Sequence, residues 1–155
     1  MKKIVLTMMM VALNVGLASA QYNFKQLLSE NYEFLALAKD DTTRIKSMYA
    51  VSGTYRSINL DSAIHYAREA WLLSKKIGYQ KGEINGLASM GAAHHEMGDL
   101  PKALALEFEA LSRLEKHLKP CDARYIRTFI TRIYTTLEDY DKAFEFARKQ
   151  LVFIK

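Results

Sequence analysis

The 155-residue sequence contains little cysteine, proline or glycine, and each shortage excludes a class of structure. The single cysteine, Cys121, has no second cysteine in the chain for a disulfide and cannot form a cysteine-only zinc site. Two prolines and seven glycines are too few for a sandwich or barrel that turns about every ten residues. The same scarcity leaves room for long helices, so we expect an all-α protein. We expect Cys121 to be a small buried or junction residue, with pairing to a second chain as the alternative.

The first 20 residues have the pattern of a secretory signal peptide. Lys2 and Lys3 precede a mostly apolar stretch over 4–17, and Ala18-Ser19-Ala20 provides a small-x-small cleavage site. The stretch is shorter than the roughly 20 apolar residues that a membrane-spanning helix needs. No cysteine follows it, as one would in a lipoprotein. We therefore expect cleavage after Ala20 and export to the periplasm or cell envelope.

The charge distribution excludes an obvious nucleic-acid surface. The formal net charge is +5 at pH 7, and loss of the two leader lysines lowers it to +3. The sequence has no basic run and no interleaving of basic with aromatic residues, so we predict no nucleic-acid partner. With half of its residues apolar and a quarter charged, the chain has the composition of an ordinary globular domain.

A period of 40 residues runs through the chain. Three segments, 59–64, 99–104 and 139–144, each place Asn or Asp before a large apolar residue and an alanine four positions on. Asn and Asp side chains accept hydrogen bonds from the first free N–H groups of a helix, so each segment predicts a helix start. Large apolar residues recur at the same 40-residue spacing at Trp71, Leu111 and Leu151. Alanine recurs at 67 and 147, whereas the middle repeat has Glu107 at that position.

Weaker matches upstream of each start predict a second helix in every repeat. We expect first helices at about 41–57, 81–97 and 121–137, and second helices at about 59–77, 99–117 and 139–154. The three helix pairs then occupy about 41–78, 79–118 and 119–155, with Gly78 as a helix stop and Pro120 opening the third pair. An amphipathic pattern within 21–40 predicts one further helix that caps the N-terminal end.

The middle repeat resembles a tetratricopeptide unit. The resemblance is carried by Met90-Gly91, His94, Gly98-Asp99, Ala103 and Ala110-Leu111. The flanking repeats depart from the pattern, since Gln150 replaces an alanine and Ile58 and Glu138 replace the turn glycine. The usual unit has about 34 residues, so the 40-residue period is similar to the longer variety found in bacterial signalling and regulatory proteins. The resemblance implies an α-helical solenoid in which small residues let paired helices approach closely and large ones fill the gaps between pairs.

In this family the first helix of each pair lines a concave groove that binds extended or helical peptides. The resemblance therefore implies a protein or peptide partner held by residues on the first helices: Tyr49, Ser52, Tyr55, Arg56, Asn85, Ser89, His95, Glu96, Tyr125, Phe129 and Arg132. Tyrosines on amphipathic helices are also commonly half-buried packing residues, which is the alternative for each of them. Only Asn85 and Arg132 resemble the residues of the subtype that clamps a C-terminal carboxylate, so that subtype is not supported.

The adjacent His94, His95 and Glu96 suggest a metal site, but neighbours on a helix point about 100° apart. They also fail the H-E-x-x-H zinc motif, because Asp99 stands where the second histidine belongs. No nucleophile elbow, phosphate loop or dinucleotide motif is present. We therefore predict no cofactor, no metal and no catalytic set, with a metal-dependent enzyme built on these three residues as the least favoured hypothesis.

Two other hypotheses remain at this stage. The chain is an exported peptide-interaction module, the extracytoplasmic sensing part of a longer signalling protein that continues into a membrane helix and a kinase or DNA-binding domain. Alternatively, it is a self-contained envelope scaffold. Because Phe144, Phe146 and 151–154 leave apolar surface on the closing helix, we also expect further repeats after Lys155, or self-association through that helix.

Overall fold

The computed structural model describes residues 23–117 and 123–151, with only the backbone of 117, 150 and 151. These residues form seven α-helices and no strand. A helix over 23–36, here α1, is followed by α2 (Asp41–Tyr55), α3 (Leu60–Lys76), α4 (Gln80–Glu96), α5 (Leu100–His117), α6 (Arg124–Thr136) and α7 (Tyr140–Leu151). The predicted signal peptide over 1–20, Pro120, Cys121 and the apolar end over 152–154 lie outside the described residues. No helix in the described ranges is long and apolar enough to cross a membrane.

The helices pack consecutively, as in a solenoid of helix pairs, which confirms the predicted all-α architecture. Each helix from α2 onward packs against the next one in the chain, and the first helices α2, α4 and α6 also contact one another in order. In the described part of the chain, the second helices α3 and α5 do not contact each other as the first helices do. The row of first helices is therefore the more closely spaced one and lies on the inner side of the stack.

A single apolar core runs between the pairs. Its centre is formed by α4, whose Ile84 and Leu87 pack with residues of α5 and α6 such as Leu114 and Ile130. Alanines at the helix-pair contacts are completely buried: Ala63, Ala67, Ala70, Ala103 and Ala110. Because alanine has the smallest side chain with a Cβ, these positions let the paired helices approach closely, as the sequence predicted.

The predicted helix starts are confirmed by their capping hydrogen bonds. Asn59 Oδ1 accepts from the backbone N–H of Ser62 at 2.9 Å. Asp99 and Asp139 accept in the same way from Lys102 and Lys142, at 3.3 and 3.2 Å. A side chain of this kind at the N-cap contributes about 1 kcal/mol of helix stability. The 40-residue period therefore reflects three structurally equivalent caps.

The turns that end the first helices differ between repeats. Gly98 follows α4 with a φ of +81°, and Glu138 follows α6 with a φ of 59°. At the equivalent position of the first repeat, Ile58 does not have a positive φ. Left-handed backbone is unfavourable for a residue with a Cβ, and helices that end in this way prefer glycine. The third repeat thus has the left-handed turn, but with Glu138 in place of the glycine that suits it best.

This difference gives a stability prediction. We expect Glu138→Gly to raise the free energy of unfolding by roughly 1 kcal/mol, because glycine adopts this φ without steric cost. Ile58→Gly is the matched control and should lower stability, since its backbone needs no left-handed conformation and the flexible residue costs unfolded-state entropy. Urea denaturation of the two variants measures the change in the free energy of unfolding. Equal effects of both substitutions would contradict the prediction.

Candidate functional site

The inner row of helices encloses a cleft of about 200 Å³. It is lined by one residue of α2, three of α4 and one of α6: Tyr49, Asn85, Ala88, Ser89 and Tyr125. All but Ala88 were predicted from the repeat pattern to line the groove. Pockets for whole small-molecule ligands usually have about 300–1,000 Å³, so this cleft has the size of a site for one side chain of a larger partner.

One wall of the cleft is fixed by Tyr49. Its hydroxyl donates a hydrogen bond to the Gly82 carbonyl at 2.6 Å, which ties α2 to α4. Burial raises the pKa of this phenol to about 12. A Cβ at Gly86 would lie 2.9 Å from the same hydroxyl, so only glycine allows the tyrosine this close to α4. Asn85 is exposed and Ser89 half-buried, and both can contact a partner.

The opposite wall continues into a group of side chains from α4 and α6, here called the Phe129 cluster. Phe129 is only 6% exposed, and its ring centroid lies 5.2 Å from that of Tyr125 and 6.4 Å from that of His95. The guanidinium carbon of Arg132 lies 4.0 Å from the Phe129 centroid, a cation–π contact. Tyr125 is 54% exposed and belongs to both the cleft and the cluster.

Arg56 and Glu96 join the ends of α2 and α4. Arg56 Nη2 lies 3.0 Å from Glu96 Oε1, with about a third of each side chain exposed. An ion pair with this exposure contributes little stability, because water and salt screen it. Both were predicted groove residues. They pair with each other, so the ionic contact that they make is already within the chain.

Two predicted groove residues lie elsewhere. Ser52 is 1% exposed, and its hydroxyl donates to the Ala63 carbonyl at 2.8 Å, so it faces α3 inside the first helix pair. Tyr55 stacks on Tyr66 of α3 with centroids 5.7 Å apart, and its hydroxyl lies 3.0 Å from that of Tyr32 in α1. Ser52 is too buried to line the groove, so its assignment was wrong. Tyr55 is half-buried, and its ring completes packing on the first pair.

The histidines point to different neighbours. His94 Nδ1 lies 3.3 Å from Asp99 Oδ2 at the helix end, whereas His95 faces the Phe129 ring. Within residues 23–117 and 123–151, no three His, Cys, Asp or Glu side chains gather in a way that could hold a metal ion. Both ring nitrogens of His95 are buried without a hydrogen-bond partner. Burial, followed by the charge of Arg132, lowers the pKa of this imidazole.

Glu107 of α5 is the notable site residue that the groove prediction missed. It is 0% exposed, and neither carboxylate oxygen has a hydrogen-bond partner. Burial raises its pKa from 4.5 to about 8, although the positive charge of Arg132 acts in the opposite direction. Its carboxylate lies against Gly91 of α4, where an added Cβ would sit 2.8 Å from Oε1. The sequence did contain a signal, since Glu107 breaks the alanine register of 67 and 147.

The buried carboxyl belongs to the same stretch of α4 as the cleft. Ala88 lines the cleft, Gly91 contacts Glu107 three residues later, and His95 follows four residues after that. Residues three and four apart share a helix face, so these positions form one row. The charge of Glu107 also contributes, after burial, to the raised pKa of Tyr125. Glu107 therefore lies near enough to Tyr125 and Arg132 for charge to act between them, and it contacts α4 one turn away from the cleft.

Comparison with known proteins supports the fold only. No family model matches the chain, and no curated protein matches it. Among solved structures, BtubC (BKLC) from P. vanneervenii is similar, with a TM-score of 0.62 and 14% sequence identity over 88% of this chain. The match covers 55% of BtubC, so the chain spans little more than half the length of that protein. At this identity the likeness shows a shared helical repeat architecture.

The raised pKa of Glu107 predicts a pH dependence of stability. In the unfolded chain the carboxyl ionises near pH 4.5, whereas in the folded protein it stays protonated up to about pH 8. The folded state then binds more protons between these values, so this group lowers stability as pH rises from 4.5 to 8, by on the order of a few kcal/mol. Glu107→Gln removes this loss. We expect the two proteins to be similar at pH 5 and the variant to be the more stable at pH 8.

Denaturant unfolding at both pH values measures the effect, and the difference between the two proteins isolates Glu107. His95 and the surface carboxylates titrate in both proteins, so their contributions largely cancel. Parallel stability curves for wild type and Glu107→Gln from pH 5 to pH 8 would show that the carboxyl is not buried as described.

Proposed function

We propose that this protein is a non-enzymatic interaction module, resembling tetratricopeptide proteins, that binds a peptide segment of another protein on its inner face. The observation that carries the proposal is the cleft between α2, α4 and α6, in which four residues selected from the repeat pattern lie together. Its approximate volume of 200 Å³ suits a side chain that anchors a longer peptide.

The composition of the inner face supports this role. Tyr125 presents a partly exposed aromatic ring, and Asn85 and Ser89 add polar groups that can bond to a peptide backbone. Aromatic and arginine side chains are common anchors of protein interfaces, since they bury a large area at low entropy cost. Phe129 supports this surface from below, because it is almost fully buried.

We further propose that the protein acts outside the cytoplasm, in the periplasm or cell envelope. The basic leader, the apolar stretch and the Ala-x-Ala site support export. A role as the sensing part of a bacterial signalling protein agrees with the long repeat period, which resembles that of bacterial regulatory proteins.

Peptide selection tests the binding proposal. A random 12-residue peptide library displayed on phage is selected against the purified protein, and the best peptides are measured by fluorescence anisotropy. We expect Asn85→Ala with Tyr125→Ala to weaken binding at least tenfold, because it removes contacts on two sides of the cleft. Tyr140→Ala is the matched control, since it removes a tyrosine of similar exposure from α7. Equal losses in both variants would move the site away from the cleft.

Export is tested separately. The protein is produced in a bacterial host with its leader, and the N-terminus of the product from the periplasmic fraction is sequenced. We expect the sequence to begin at Gln21, because Ala18 and Ala20 satisfy the cleavage site. Lys3→Glu with Leu6→Asp, which disrupts the leader, should keep the chain in the cytoplasm. Periplasmic protein that still carries Met1 would refute cleavage.

A further inference from the structure

We propose that Glu107 is a specificity residue of the inner face, which accepts the ammonium or guanidinium group of a lysine or arginine in the partner peptide. This inference rests on the proposed peptide-binding function and names the side chain that the site selects. Four observations on α4, α5 and α6 lead to it.

The first observation is an excess of unsatisfied acceptors. Both oxygens of Glu107 and both ring nitrogens of His95 are buried without hydrogen-bond partners. A buried polar group that lacks a partner costs free energy, so such groups are uncommon in native proteins. A neutral imidazole has one acceptor nitrogen, and the carboxyl of Glu107, once a cation has favoured its ionisation, has two acceptor oxygens. Together these groups match a ligand that carries several N–H donors.

The second observation is the room made for the carboxylate. Gly91 lies opposite Glu107, and any Cβ there would be 2.8 Å from Oε1 and 3.1 Å from Cγ. The corresponding second-helix positions of the flanking repeats hold alanine. A glutamate in place of this alanine, facing a glycine, puts an ionisable group where the fold needs only a small side chain. Packing alone therefore does not account for Glu107.

The third observation is an aromatic environment that accommodates cations. Arg132 already places its guanidinium carbon 4.0 Å from the centroid of the Phe129 ring, and Tyr125 lies beside that ring. Aromatic faces attract ammonium and guanidinium groups. The positive charge of Arg132 partly offsets the burial of Glu107, but Arg132 donates no hydrogen bond to the carboxylate. Within the described residues, the carboxyl oxygens of Glu107 thus have no hydrogen-bond donor.

The fourth observation is reach. Ala88 lines the cleft, and Gly91, three residues or about 4.5 Å farther along α4, lies against the carboxyl. Glu107 is 0% exposed and does not itself line the cleft, so binding requires the side chains that cover it to move aside. A lysine or arginine side chain is long enough to extend from a peptide backbone at the cleft to the next turn of α4. On binding, its cationic head would pair with Glu107, while its aliphatic part would lie against Tyr125, the exposed ring of the Phe129 cluster.

The peptide selection, repeated with variants, tests this inference. We expect the wild-type protein to enrich lysine or arginine at one fixed position of the selected peptides. Glu107→Gln keeps the size of the side chain but loses its charge, so it should lose that preference while it still selects peptides. Glu69→Gln removes a carboxylate from an exposed position of α3 and should behave as wild type.

A measured pair of peptides makes the test quantitative. Replacement of the selected lysine by norleucine should weaken binding to the wild-type protein about ten- to a hundredfold, which is the usual range for a hydrogen bond to a charged group. The same replacement should have little effect on Glu107→Gln. Binding of the lysine peptide to wild type should also strengthen from pH 6 to pH 8, because the cation favours the ionised carboxylate, and this trend should be absent from the variant.

The outcomes separate the inference from the proposed function. A lysine or arginine preference that persists in Glu107→Gln, or peptides selected by wild type without such a preference, would overturn the role of Glu107 while peptide binding stands. If wild type enriches no peptide over the Asn85→Ala, Tyr125→Ala protein, the proposed function itself fails, and the inference fails with it.

Discussion

The structure depends on the close approach of the two helices within each pair. Completely buried alanines at 63, 70, 103 and 110 set this distance, and the larger residues of α4, α5 and α6 then fill the space between successive pairs. A single pair has no other way to cover its apolar surface, so each depends on its neighbours, as in other solenoids. The inner face, with its cleft, results from the same spacing, because α2, α4 and α6 contact one another there.

Glu107 departs from this scheme at the point where the core meets the inner face. A larger side chain in place of the repeat's alanine is accommodated because Gly91 faces it. Gly91 thus leaves room for the Glu107 side chain, but both carboxyl oxygens still lack a hydrogen-bond partner. Natural sequences usually agree with their fold at every level, and departures tend to occur at functional or strained sites. Glu107 is a departure of this kind.

The architecture was predictable from sequence because it repeats. Caps at Asn59, Asp99 and Asp139 recur at a fixed interval, and each is a local interaction between a side chain and the N–H three residues later. The cleft residues were predictable to the extent that repeat position determines which way a side chain faces. Ser52 departs from this rule, because it bonds to a carbonyl of α3, a partner that periodicity does not reveal. The contact of Tyr55 with Tyr32 in α1 is likewise not evident from the repeat pattern. The significance of Glu107 was not predictable, because neither its burial nor its neighbours follow from the repeat pattern.

A buried carboxyl without a partner reduces stability, so its presence requires a compensating role or a tolerant fold. A solenoid is a tolerant fold, because stability is distributed over neighbouring interfaces and one costly position does not abolish the whole. The same unpaired carboxyl can favour the binding of a cation. In the proposed complex, an incoming cation would favour ionisation of a carboxyl that is already held in place, so little reorganisation of that side chain would be needed. A carboxyl that lowers the stability of the free protein can thus make the complex selective for a cationic side chain.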